Sequence, residues 1–104
     1  MSARLASFAA ALALFGAGAA SAETRVVSGR GVAGKPGRLV VKRGDVVQWK
    51  NVDVVPHDVR EDHKVFVSRQ LQPGQSFKWT ARKKGTFPYK CTLHPEMVGT
   101  LVVE

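Results

Sequence analysis

The segment Gly85-Thr86-Phe87-Pro88-Tyr89-Lys90-Cys91-Thr92-Leu93-His94-Pro95-Glu96-Met97 alternates and then abruptly stops alternating. Phe87, Tyr89 and Cys91 fall on one side of an extended chain, and Pro88 and Lys90 fall on the other. That period of two belongs to a half-buried strand. The thiol of Cys91 is therefore expected at the buried end of a strand, not on an exposed loop. Beyond it a tight turn carries an imidazole, His94, and a thioether, Met97. Three metal-binding donor types thus crowd into one short stretch.

Outward from this segment the same alternation recurs between Gly and Pro punctuation. Strands are expected over 24–28, 38–42, 46–51, 64–68, 76–81, 86–91 and 99–104, with a Gly-rich loop over 29–37. Val47 and Trp49 share one face of the 46–51 strand, Phe77 and Trp79 one face of 76–81, and Leu101 and Val103 one face of the last. Short strands at regular spacing, with no convincing helix after the first residues, predict an all-β sandwich of about six to eight strands.

The N-terminus reads differently. Arg4 gives a positive start, residues 5–20 form an Ala-rich apolar run, and Ala20-Ser21-Ala22 offers small residues at a cleavage position. This is the pattern of a helical secretory signal peptide, 1–22. The run is shorter than the ~20 residues that span a bilayer. Its removal leaves one small domain, 23–104, expected to be soluble, without stable membrane insertion, and monomeric. The chain carries 16 Lys and Arg against 8 Asp and Glu, and only Arg4 lies in the leader. Export argues against nucleic acid as the target of this charge, and no basic run is interleaved with aromatics. Steering toward an acidic partner or an anionic surface is the more economical reading.

Cys91 is the sole cysteine. An unpaired thiol in an exported chain needs an explanation, and metal is the staple left to so small a core. With His57, in Pro56-His57-Asp58-Val59, the chain offers His57, Cys91, His94 and Met97. Two imidazoles and a thiolate in a plane with a long axial thioether are the donors of a blue-copper electron-transfer centre. Zinc accepts Cys and His but does not select a thioether. A Cys–His hydrolase is disfavoured because Cys91 and His94 share one tight loop. His63, in a charged loop, reads as a solvated side chain, with an auxiliary metal site as the alternative.

These residues resemble the cupredoxins, in their amicyanin- and plastocyanin-like branch. Gly44-Asp45-Val46-Val47-Gln48-Trp49-Lys50-Asn51 is similar to the family's strand before the first ligand, and Pro56-His57-Asp58-Val59 to its first-histidine segment. Gln72-Pro73-Gly74-Gln75-Ser76-Phe77 is similar to its mid-chain turn, and 85–97 to its ligand loop. The resemblance covers roughly residues 38–104. It implies a Greek-key β-sandwich and one mononuclear type 1 copper ion cycling between Cu(II) and Cu(I). It also implies His57, Cys91 and His94 as strong ligands with Met97 axial. His94 would be the electron port, rimmed by Pro56, Pro95 and Val98. Asp58 stands where the family usually has Asn, and Lys90 and Glu96 put charge beside the loop. The function expected is a periplasmic carrier of single electrons between redox proteins, not an enzyme, with an acidic docking surface on the partner. Copper binding or delivery through the same site is the alternative.

Overall fold

The computed structural model describes residues 22–30 and 33–104. Apart from Ala22, the segment read as a signal peptide lies outside the described residues. Among those residues no helix is long and apolar enough to cross a membrane.

Eight strands form among the described residues: β1 (Thr24–Arg30), β2 (Ala33–Lys35), β3 (Arg38–Val41), β4 (Val46–Asn51), β5 (Arg60–Glu61), β6 (Ser76–Thr80), β7 (Gly85–Lys90) and β8 (Val98–Val103). They assemble as two four-stranded sheets, ordered β2-β1-β4-β6 and β3-β8-β7-β5. β1 runs parallel to β4, and β3 parallel to β8, while the remaining pairs are antiparallel. Parallel neighbours cannot be joined by a tight hairpin. The chain therefore leaves the first sheet after β2, lays down β3 in the second, and returns to place β4 beside β1.

The alternation read from the sequence sets the core. Val47 and Trp49 of β4 face inward, as do Phe87 and Tyr89 of β7 and Leu101 and Val103 of β8. Trp49 lies edge-on to Tyr89 at 5.5 Å between ring centroids, so the two sheets meet through an aromatic pair. Burial raises the Tyr89 phenol above its ordinary pKa, and the neighbouring Trp49 indole only partly offsets this. The indole N–H itself finds no partner in aligned hydrogen-bond geometry. Tyr89 also covers its cross-strand partner Gly99, where an added Cβ would stand 2.4 Å from the ring. Only a glycine lets the ring lie there.

Two expectations are corrected. The stretch 29–37 is not all loop, because β1 continues to Arg30 and pairs with β2. The stretch 64–68 is not a strand: only Val67 forms a bridge, to Arg60, and the paired residues are those of β5. The reason lies in Phe66, which is 3% exposed and packs with tilted rings against Trp49 and Trp79 at 4.9 and 4.7 Å. To send that ring inward, the backbone turns at Lys64, whose φ is 62°. The buried carboxylate of Glu61 holds the turn by accepting the N–H groups of His63 and Val65. Glu61 Oε2 lies 3.8 Å from Nδ1 of the exposed His63, so that imidazole faces a structural carboxylate and solvent.

Asp45 does similar work at the far end of β4. Its carboxylate accepts the N–H of Lys42 at 2.9 Å and of Glu23 at 3.0 Å, tying β1 and the β3–β4 turn together. The bond from Lys42 is the chief cause holding its pKa below the ordinary carboxylate value. The Glu23 bond and the nearby Arg25 and Lys42 charges add to it, while burial opposes it. A carboxyl whose folded pKa is depressed stabilises the fold above its unfolded pKa and loses that contribution as pH falls through the folded value. Asp45→Asn turns a donor toward one of those N–H groups. It should cost about 2 kcal/mol at neutral pH and flatten the decline in stability below about pH 4. Denaturant melts of both proteins at pH 7 and pH 3 measure this, and equal pH dependence would refute it.

Candidate metal centre

At the pole of the sandwich opposite Asp45, β4 ends at Asn51 and β7 at Lys90, and the loops that follow bring three donors together. His57, Cys91 and His94 present ligand atoms that all lie within 4.8 Å of one another. Cys91, two residues beyond Tyr89 on the inward side, is 2% exposed. Its Sγ lies 3.6 Å from Nδ1 of His57 and 3.8 Å from Nδ1 of His94. The imidazole planes are tilted by 50° with centroids 4.7 Å apart. Met97 lines the same cavity as His57 and Cys91, with Trp49 and Tyr89 behind them.

The spacing fits a metal ion. Bonds of about 2.3 Å to a thiolate and about 2.0 Å to an imidazole nitrogen, spread by roughly 120°, require about 3.7 Å between those two atoms. Both Sγ–Nδ1 distances match. At 2% exposure the thiol is poorly placed to meet a substrate carbonyl, which argues against the reading as a nucleophile. The soft thioether in the cavity wall is a donor that zinc does not select.

Each donor is held from behind. His57 is bridged to Leu71 in both directions, its N–H donating to Leu71 O and its carbonyl accepting from Leu71 N–H. The far ring nitrogen, Nε2, lies 3.0 Å from Asp53 Oδ2, so the proton on Nε2 leaves Nδ1 free to bind. Asn51, wholly buried, donates to the carbonyls of Val55 and Leu71 and accepts the N–H of Asp53. It thereby fixes the loop that carries both Asp53 and His57. The Asp58 N–H points at Cys91 Sγ at 3.4 Å. Its carboxylate reaches across to Thr92, accepting the backbone N–H at 2.6 Å and pairing with the hydroxyl. The ligand loop closes on itself, with Cys91 N–H donating to Met97 O and Met97 N–H to His94 O.

All four residues singled out from the sequence thus come to one pole, where Asp58 links the two loops through Thr92. His63 does not join them. Asp53, Asn51 and Gly29 were missed. Asp53 stands four residues before His57, a spacing that could have flagged a carboxylate for the ring. Gly29 of β1 lies under Met97, where an added Cβ would be 2.9 Å from the methyl carbon. Around the centre Val52, Val54, Val55, Leu93 and Val98 are exposed, Val54 to 86%.

Comparison with known proteins agrees with this geometry. Residues 20–104 match the family model of copper binding proteins, plastocyanin/azurin family. The chain is 38% identical over 71 residues to amicyanin of Paracoccus denitrificans, a match covering 64% of this chain and 54% of that protein. It is 33% identical over 69 residues to amicyanin-alpha of Methylorubrum extorquens, covering 62% and 58%. The chain spans a little over half the length of the curated relatives it matches. Among solved structures, an oxidised amicyanin variant superposes with a TM-score of 0.74 at 31% identity, covering 78% of this chain and 82% of the other. A purple cupredoxin from Nitrosopumilus maritimus superposes with a TM-score of 0.72 at 26% identity, covering 77% and 99%.

Asp53→Ala should weaken copper binding about tenfold or more, by freeing the His57 ring, while Asp53→Asn, which keeps an acceptor, should restore most of it. Competition titrations against a chelator read the affinities. Equal loss in the two variants would show that Asp53 does not act through the ring.

Proposed function

Because this chain belongs to the copper-binding plastocyanin/azurin family, as an amicyanin-like cupredoxin, we propose that it is a small periplasmic carrier of single electrons between redox proteins. Its cofactor is copper. In this reading His57, Cys91 and His94 are the strong ligands and Met97 the axial one, with residues 1–22 serving as the export signal. The observation that carries the proposal is the pair of imidazole Nδ1 atoms at 3.6 and 3.8 Å from one buried thiol, borne by loops pinned to each other.

Copper, when bound, supplies a one-electron couple between Cu(II) and Cu(I). The chain's task is to keep the donor positions nearly unchanged between those states, since any rearrangement adds to the barrier for transfer. The Leu71 bridge and the Asp53 acceptor fix His57. The two hydrogen bonds inside 91–97 and the Asp58–Thr92 link fix the other loop. Half-buried His94 stands between exposed Leu93 and Pro95, with Val98 nearby in the chain, and serves as the port to a partner. The excess of Lys and Arg suits a partner with an acidic docking surface. A buried, cross-braced donor set favours electron carriage over copper delivery, which requires ready release of the ion.

Cupric ion added to the apoprotein should produce an intense visible thiolate-to-copper band and a reversible one-electron wave. Cys91→Ser should abolish the band entirely, and Met97→Leu, which removes the thioether, should raise the potential. Colourless copper-loaded protein would overturn the proposal. Asp58→Asn removes a carboxylate that favours Cu(II), so the potential should rise. Voltammetry of the two proteins decides it, and an unchanged or lowered value would count against the role given to Asp58.

A further inference from the structure

A compact group of exposed cations lies at the pole away from the metal, apart from those such as Lys50 and Lys90 that line the metal end. The β3–β4 turn carries Lys42 and Arg43, and the β6–β7 turn carries Arg82, Lys83 and Lys84, all exposed. Backbone hydrogen bonds place the two turns side by side: Gly44 N–H donates to Ala81 O at 2.7 Å, and Ala81 N–H to Asp45 O at 2.8 Å. The strand β4 separates this pole from the metal centre, a span of roughly 20 Å at the usual rise per residue. Glu23 and Glu104 also lie here, and Asp45 spends both carboxylate oxygens on backbone N–H groups. None of these five cations forms an ion pair among the described residues, where the carboxylate pairs at His57 and His63 lie elsewhere. Five like charges on two adjoining turns, without a counter-charge in contact, repel one another in the free protein.

The same pole is where the chain enters the fold. The N–H of Glu23 is fixed on Asp45 Oδ1, and Val46 N–H donates to Glu23 O. In the sequence, the apolar run 5–20 immediately precedes this point. Until the leader is removed, the end of the domain joined to it is therefore this cationic one. The metal centre, with exposed Val54, Leu93 and Val98, is at the opposite end.

We propose that this pole is a peripheral membrane-docking surface, on which Lys42, Arg43, Arg82, Lys83 and Lys84 bind anionic phospholipid headgroups and hold the metal centre outward. The occupant is a bilayer surface, because charge and chain entry coincide at one pole while the apolar rim lies at the other. Binding of this kind is electrostatic, reversible and screened by salt. It does not depend on the electron-carrier reading, because it is measured without any redox step.

The test uses protein purified from cells expressing the whole chain, loaded with copper, in co-sedimentation with phosphatidylglycerol or phosphatidylcholine vesicles. The expected result is binding to phosphatidylglycerol that declines steeply with added salt, and little binding to phosphatidylcholine. A variant carrying Arg43→Gln, Arg82→Gln, Lys83→Gln and Lys84→Gln should bind about fivefold more weakly for each cation removed. A control with the same charge loss, Lys50→Gln, Arg69→Gln, Lys78→Gln and Lys90→Gln, should keep most of the affinity. Equal binding to both lipids would overturn the proposal, since an apolar segment would then be responsible. Equal weakening in both variants would overturn it in favour of undirected net charge. Absence of vesicle binding, with a hexaglutamate peptide instead shifting the amide resonances of the two turns, would reassign the pole to an acidic protein.

Discussion

The carboxylate of Asp58 belongs to the loop of one candidate donor, His57, and grips the backbone of the loop that carries the other three. Its two oxygens reach the N–H and the hydroxyl of Thr92, while its own N–H points at the thiol of Cys91. Loops leaving different sheets have no reason to keep register with each other unless something crosses between them. Each hydrogen bond to a carboxylate is stronger than its neutral counterpart, and this link spans 34 residues of sequence. Around it the remaining restraints are local. The Leu71 bridge and Asn51 hold the loop of His57, and the carbonyls of His94 and Met97 close the turn of Cys91. Without the crossing carboxylate the two imidazoles would be set by separate loops.

Buried acids serve the backbone throughout this small domain. Asp45 and Glu61 each sit almost out of solvent and each accept two main-chain N–H groups. A chain dominated by turns leaves many such donors unpaired by any ladder, and an unpaired buried donor costs about 1–3 kcal/mol. Carboxylates placed under the turns remove that cost. The same residues explain why a chain with half as many acids as bases keeps so few of them for ion pairing.

Much of this was legible in the sequence, and the reasons differ by element. Strands β4, β7 and β8 each bury one face, so alternation exposes them directly. The four donor residues stand out because their side-chain chemistry is rare and their spacing tight. Phe66 misled because an apolar residue flanked by Val65 and Val67 reads as strand, whereas its ring is drawn between Trp49 and Trp79, contacts made by residues distant in sequence. Strand β2, with Gly34 at its centre, carries no period to read. Asn51 and Asp53 look like ordinary turn formers, and their partners become visible only once Leu71 and His57 are brought to them.

Gly29 lies on the opposite sheet from the ligand loop, directly against the methyl end of Met97. A Cβ at 29 would therefore meet the methyl tip of Met97, and that flexible end would have to move. Shortening the residue at 97 leaves a void one methyl group deep, and lengthening the residue at 29 fills the same space from below. The space at 29 and the reach of the thioether at 97 thus bear on each other across the sandwich.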